Sequence, residues 1–281
     1  MRLPTAAILA AVCALCTVPG TTSGQEQYSL HYAFEKGKVY RFHDTIAVKS
    51  TQEMMGQEMK TTSNVFSTTK LVASDVAANG TAVLMVSPEA MSLNIRSARG
   101  DTTITPIEVL GKRSRVTVSR LGHVSAREVV DTVKLTGIAA RTGQRELMRF
   151  HVFSEHPVNV GGTWTSTQPD TSEAMGSKIV TVGTIDYTVV GKELRGGKEC
   201  LKISFKRKAT IAGKGMMMGN EFFLEGTGTG GGLVFIDPAT GFPLSEESTM
   251  DMETTVALTG QQNMTIPSSQ SVTSRRAFVV E

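Results

Sequence analysis

The stretch that decides the fold is "YRFHDTIAVK" (residues 40–49), which leads into "TQEMMGQEMKTT" (residues 51–62). In an extended chain its apolar residues share one face and most of its polar residues share the other, the apolar set being Tyr40, Phe42, Ile46 and Val48. Alternation of this kind predicts an antiparallel β-strand with one buried face. The stretches "CLKISFK" (residues 200–206) and "STMDMETTVAL" (residues 248–258) alternate in the same way.

Turn-forming residues separate the alternating stretches at regular intervals. The clearest turn is "DPATG" (residues 237–241), where Asp starts the turn, Pro fixes φ and Gly accepts a left-handed conformation. Four others are "ANG" (78–80), "ARGD" (98–101), "RLGH" (120–123) and "RGGK" (195–198). This spacing predicts an all-β protein, a curved antiparallel meander that forms a half-barrel or a barrel.

One segment interrupts the alternation and divides the chain. Residues 129–153 have mixed spacing, and we expect a short helix near residues 142–150. Pro157 then stops any helix, and Gly161 and Gly162 turn the chain into a strand that begins near Trp164. We therefore predict an N-terminal β half over residues 25–153 and a C-terminal β half over residues 154–281.

A methionine-rich string occurs twice. "MMGQE" (residues 54–58) and "MMGNE" (residues 217–221) share the order Met-Met-Gly-amide-Glu, and each lies between β-forming stretches. We expect each string at the tip of a hairpin, with positive φ at Gly56 and Gly219. The repeat suggests an internal duplication in which each half contributes a similar long hairpin.

The first 24 residues have the pattern of a cleaved secretory signal. Arg2 precedes an apolar run that is too short to anchor the chain in a bilayer, and small residues follow it. We expect cleavage after Gly24 and a periplasmic or extracellular location, while Cys13 and Cys16 leave lipidation of the N-terminus open. Cys200 is then the lone cysteine of the mature chain, so an internal disulfide is excluded.

Several stretches together resemble a poorly characterised family of secreted bacterial β-proteins of unknown function. They include "FEKGKVYRF", "MMGQEMK", "ANGTAVLMV", "VTVSRLGHV", "HPVNVGGTW" and "DPATGFPLSEES". The long hairpins also look like the half-barrels that carry lipoproteins or lipids across the periplasm. That second resemblance is architectural, and a fold does not fix a function.

The methionine strings are the candidate site. Their thioethers can pack the ends of the sheet, offer an adaptable apolar contact surface, or bind Cu(I). The predicted contact residues are Met54, Met55, Met59, Met216, Met217 and Met218. Neighbouring side chains on a strand point to opposite faces, which favours contact over a compact metal site.

No stretch predicts a catalytic centre or a cofactor. The five histidines form no HExxH motif, there is no Gly-x-Ser-x-Gly elbow, and no His lies near Cys200 in the sequence. The glycine-rich "GTGTGGGLVF" (residues 226–235) lacks the Lys and the following helix of a phosphate loop, and predicts a bend in the sheet or close backbone approach instead. A net charge of +3, with interspersed signs, argues against a nucleic-acid partner.

These observations favour an exported, non-enzymatic binding protein of the bacterial envelope. Its expected partner is a hydrophobic small molecule, a lipid, a lipoprotein or an envelope protein. The alternatives are a structural or interaction protein of the envelope, and a methionine-rich Cu(I)-binding protein. We predict no cofactor, and no transmembrane span after the signal.

Overall fold

The computed structural model describes residues 26–98, 100–132, 150–174, 177–217, 220–260 and 263–280. These residues form twelve β-strands and one 3-10 turn at Ile107–Val109. The strands are β1 Val39–Met54, β2 Gln57–Val76, β3 Ala82–Ser97, β4 Gly100–Ile104, β5 Ser114–Val118, β6 Val124–Val129, β7 Thr163–Ala174, β8 Ser177–Arg195, β9 Lys198–Met217, β10 Asn220–Ile236, β11 Pro243–Thr259 and β12 Met264–Val280.

All the strands belong to one antiparallel sheet, which confirms the predicted fold class. The order is β6-β5-β3-β2-β1-β12-β11-β10-β9-β8-β7, with β4 paired to the far part of β3. The first and last strands pair with each other, from Tyr40 opposite Val280 to Gln52 opposite Ser268. The sheet is therefore joined by the pairing of its first and last strands, and within the described residues it is open between β6 and β7.

All five predicted turns connect consecutive strands. Gly80, Gly100, Gly122, Gly196, Gly197 and Gly241 have positive φ at these turns, and for Gly241 this confirms the left-handed conformation that the sequence predicted. The helix predicted near residues 142–150 falls almost entirely outside the described residues. Phe150, its last position, has no regular secondary structure.

One face of the sheet, here called the inner face, carries the hydrophobic core. The core lies at the basal end, where β1 begins and where the 195–198 and 237–241 turns are located. Alternate residues of seven strands contribute to it, among them Tyr40, Leu71, Leu84, Val118, Tyr187, Leu201, Ile203 and Ile236. The core therefore draws on strands from both predicted halves of the chain.

Two non-strand segments, residues 26–38 and 150–158, cover the basal part of the inner face. They pair with each other at Tyr28 and Val158, where the two backbone hydrogen bonds are 2.7 and 2.9 Å long. The backbone N–H of Tyr32 donates to Arg120 O at 2.7 Å, and that of Ala33 donates to Thr240 O at 2.9 Å. These bonds join the turns on the two sides of the sheet through one aromatic cluster, formed by Tyr32, Phe34, Tyr40, Phe150, Phe153, Phe242 and Phe278.

The glycine-rich part of β10 lies close to the backbone of the neighbouring strand β11. Gly226, Gly228, Gly230 and Gly232 occupy four successive inner-face positions of β10. A Cβ atom at Gly230 would overlap Thr249 O, and one at Gly232 would overlap Glu247 O. The backbone of β11 therefore lies against the inner side of β10, which confirms the predicted close backbone approach.

Candidate functional site

The first methionine string forms the tip of the β1–β2 hairpin. Met54 and Gln57 are the closing pair, and Met55 and Gly56 form a two-residue turn with φ of 53° and 74°. Two positive φ values are typical of a type I′ turn, which usually places Asn or Asp before Gly. Met55 thus adopts a conformation that is unfavourable for its side chain, and that side chain is 80% exposed.

The second string runs from the end of β9 to the start of β10. Met217 and Asn220 are its last described pair, preceded by Met216 opposite Glu221. Each string therefore ends a hairpin at a Met–amide pair, with two residues between the pair. Met218 and Gly219 lie outside the described residues, so the predicted positive φ at Gly219 stays a prediction.

The two strings do not come together. In the sheet order β1 and β10 are separated by β12 and β11, and three strand spacings correspond to roughly 14 Å. Within the first hairpin, Met54 and Met59 occupy inner-face positions, whereas Met55 lies in the turn itself. This arrangement favours contact in several directions over a single copper site.

A cleft lies beside the first tip. Its volume is about 560 Å³, and it separates the β1–β2 turn from the start of β12. Its lining residues are Glu53, Met55, Gly56, Asn263, Met264, Thr265 and Pro267. Met55 is therefore next to a space large enough for a small molecule or a side chain of a partner.

The inner face continues toward the tips as an apolar strip beyond the core. Its side chains are half-buried, in contrast to the buried side chains of the basal core. We define the apolar strip as Ile46, Val48, Val65, Ile95, Ile179, Ile211, Leu224, Met250, Met252, Val256, Leu258, Ile266 and Val272. Met54, Met59 and Met264 extend it to the hairpin tips.

A charged cluster, defined by Asp44, Arg276, Glu246 and His151, separates the core from the strip. Arg276 Nε donates to Asp44 Oδ1 at 2.7 Å, and both side chains are nearly inaccessible. His151 Nε2 lies 3.1 Å from Glu246 Oε2, and its Nδ1 lies 3.4 Å from the Tyr187 hydroxyl. A cavity of about 40 Å³ lies beside this cluster, and Asp44, Glu246 and Arg276 are among the residues that line it.

Burial and charge act in opposite directions on the groups of the cluster. Burial alone would raise the pKa of the Glu246 carboxyl, but His151, Arg276 and Arg207 outweigh burial and lower this pKa to about 2. Burial would likewise lower the pKa of Arg276, but Asp44 and Glu246 raise it. Burial also raises the pKa of the Tyr187 hydroxyl. Neighbouring charges therefore outweigh burial at both the Glu246 carboxyl and the Arg276 guanidinium.

Sequence reasoning missed the charged cluster, although one sign of it was present. Asp44 lies between Phe42 and Ile46 on the apolar face of its strand, and Arg276 lies two residues before the inner-face residue Phe278. A charged residue at a buried position requires a partner. The partner was not predictable because Asp44 and Arg276 are 232 residues apart in the chain.

The remaining candidate groups have structural roles. Cys200 is buried, its Sγ donates to Glu193 O at 2.9 Å, and burial raises its pKa. Trp164 stacks on Tyr187, and its Nε1 donates to Val152 O at 2.7 Å. Among the described residues, no three His, Cys, Asp or Glu side chains are grouped to hold a metal ion. The described part of the chain contains no helix that is long and apolar enough to span a membrane.

Comparison with known proteins does not assign this chain to a family. No family model matches the chain, and no curated protein matches it. Among solved structures it is similar to an outer membrane channel from Pseudomonas putida F1, with 10% identity, a TM-score of 0.27, and coverage of 88% of this chain and 97% of that one. It is also similar to OccK2 from Pseudomonas aeruginosa, with 6% identity, a TM-score of 0.24, and coverage of 88% and 100%. TM-scores of this size carry no conclusion about function, and neither protein is named as a lipoprotein carrier.

Proposed function

We propose that this chain is an exported, non-enzymatic binding protein of the bacterial envelope that holds a lipid or another hydrophobic ligand on its inner face. The observation that supports this function is the apolar strip. The basal core is already filled and covered by residues 26–38 and 150–158, whereas the strip is half-buried. A ligand that covers the strip would remove this apolar surface from water.

The dimensions of the strip suit an acyl chain. From Ile46 to Met54 the inner face of β1 extends about 26 Å, at about 3.3 Å per residue. One leaflet of a bilayer is about 15 Å of hydrocarbon, so the strip is long enough for one extended chain. Each 100 Å² of apolar surface that is removed from water contributes about 2.5 kcal/mol to binding before ordering costs.

The methionines at the hairpin tips would extend the apolar surface at the end of the strip that lies away from the basal core. Methionine side chains are flexible and polarizable, so they adapt to ligands of different shape. Met54 and Met59 continue the apolar strip, and Met55 lines the cleft between the β1–β2 turn and the start of β12. A protein partner that brings an apolar segment to the tips is the alternative occupant, which is the lipoprotein-carrier form of this proposal.

The location and the lack of catalysis are parts of the same proposal. The apolar leader supports export, as the sequence analysis indicates. The charged cluster is enclosed between core and strip, and its groups are mutually paired. Such a cluster is suited to fixing the covering segment 150–158 to the sheet rather than to reacting with a substrate.

The test compares two adjacent positions of β11 in the mature chain, residues 25–281. Val256 belongs to the apolar strip, while Thr255 is exposed on the outer face. Val256→Asp should weaken binding of a fluorescent fatty acid at least about tenfold, because it places a charge against the acyl chain. Thr255→Asp should leave binding unchanged. Equal binding by both variants and the parent would refute the proposed ligand surface.

A second test addresses the methionines. Replacing Met54, Met55, Met217 and Met218 together with Ser should leave the fold intact and weaken binding of the same probe. The parent should take up negligible Cu(I) under reducing conditions, because the two strings lie on separate hairpins. Stoichiometric Cu(I) binding that these substitutions abolish would replace the lipid proposal by the copper alternative.

A further inference from the structure

The outer face of β1, β2 and β3 carries a pocket that the proposed function does not use. Its volume is about 460 Å³, within the range of small-molecule sites. Two cross-strand rows of side chains form it. Thr45, Phe66 and Ser92 make one row, and His43, Thr68 and Ala90 make the other.

Phe66 is the unusual member of this pocket. Its side chain is 46% exposed on the solvent side of the sheet. Within the described residues it makes no ring contact, although many aromatic side chains of the inner face pack against one another. An exposed aromatic ring beside a pocket offers an apolar surface against which a ligand can stack.

The polar groups around Phe66 are hydroxyls and one imidazole. His43 Nδ1 lies 2.8 Å from Thr68 Oγ1, and in the described part of the chain no partner is found for Nε2. Thr45 and Ser92 flank Phe66 in its own row, and Thr105 adds a hydroxyl from the loop after β4. These groups both donate and accept hydrogen bonds, so they match a ligand that has many hydroxyl groups.

A β-bulge keeps charge out of the pocket. The register of β2 against β3 shifts between Thr68 and Thr69, so that Glu89 is left between two paired residues of β3. The Glu89 carboxylate turns to Arg41, with hydrogen bonds of 2.7 and 3.1 Å, and the small residue Ala90 takes the place opposite Thr68. Asp44 also contributes to the lining, but its carboxylate is paired with Arg276 and is 2% exposed.

The geometry points to a binding site for neutral saccharides. A sugar ring has an apolar C–H face that can stack on Phe66 and a rim of hydroxyls that can bond His43, Thr68, Ser92 and Thr105. The two rows span about 7 Å along the strands and about 10 Å across three strands, the scale of one sugar ring. The polar residues Asn64 and Asn94 continue this face toward the tips, so we expect neighbouring sugars of an oligosaccharide to be accommodated.

The chain offers a matched control for this site. Phe223 on β10 is also an exposed phenylalanine on the outer face, at 42% exposure, but it does not line the pocket. Both rings are exposed, so neither Phe66→Ala nor Phe223→Ala should prevent folding, which circular dichroism checks. Val256→Asp on the inner face separates this site from the proposed lipid surface.

The experiment is calorimetric titration of the mature chain with neutral hexasaccharides of glucose, mannose, galactose and N-acetylglucosamine. At least one should bind, Phe66→Ala should weaken it about tenfold, and His43→Ala should weaken it as well. Phe223→Ala and Val256→Asp should bind it as the parent does. Binding of none of the four sugars, or equal loss in Phe66→Ala and Phe223→Ala, would overturn the assignment. Loss in Val256→Asp would place the sugar on the inner face and overturn it too.

Discussion

Met55 has a backbone conformation that few methionines adopt. Positive φ costs a residue with a side chain about 1 kcal/mol, and Asn tolerates it better than Met. Met55→Asn should therefore raise the free energy of unfolding by about 0.5–1 kcal/mol, measured by urea denaturation. Met55→Val should lower it, because a β-branched residue fits this conformation poorly. A loss of stability in Met55→Asn would show that the exposed methionine stabilises the hairpin itself.

Glu246 makes stability depend on pH in the acid range. Its pKa is held at about 2 in the folded protein, below its ordinary value of 4.5. A lowered carboxyl pKa contributes stability that is fully present above about pH 4.5 and is lost as the pH falls toward 2. The melting temperature of Glu246→Gln should therefore be lower than that of the parent at pH 7, and the difference should shrink toward pH 2. A difference that is the same at both pH values would contradict this role.

Glycines of β10 allow its backbone to lie close to the backbone of β11. A methyl group at Gly230 would overlap Thr249 O of β11, whereas one at Gly183 on β8 meets no atom within 4 Å. Gly230→Ala should lower the free energy of unfolding by about 1–3 kcal/mol. Gly183→Ala should leave it unchanged or raise it by up to about 1 kcal/mol, because Ala restricts the unfolded chain. Equal stability of both variants would mean that the β10–β11 approach is not constrained by glycine.

Individual strands and turns were predictable from the sequence, whereas pairings between strands far apart in the chain were not. The alternation in residues 40–49 and 248–258 predicted strands, and "DPATG" predicted the β10–β11 turn. The pairing of β1 with β12 was not predictable, since it joins residues such as Phe42 and Phe278 from opposite ends of the chain. The pocket around Phe66 was missed for the same reason, because it requires the register of three strands and the bulge at Glu89.

The strand order has a consequence for the whole molecule. β1 pairs with β12, and the core combines residues of both predicted halves. Fragments 25–153 and 154–281 should therefore each lack a folded core when expressed alone, and should regain β-structure when mixed. Circular dichroism and NMR of the separate and mixed fragments would check this. A folded fragment would instead support the predicted division into two β halves, each stable alone.

The same order bears on the suggested duplication. The two methionine strings close hairpins β1–β2 and β9–β10 at equivalent Met–amide pairs. Each hairpin is followed by a strand that pairs with its second member, β3 in one case and β11 in the other. The duplication stays a prediction, and superposition of β1–β3 on β9–β11 is its direct geometric test.

The measurement that tests the central claim most directly is paramagnetic NMR with a spin-labelled fatty acid bound to the mature chain. Broadening should concentrate on methyl groups of the apolar strip, such as those of Ile46, Val48, Val256 and Leu258. Methyl groups of the outer face, such as those of Ala47 and Thr255, should be spared. Broadening on the outer face, or none at saturating fatty acid, would contradict the claim that the inner face holds a hydrophobic ligand.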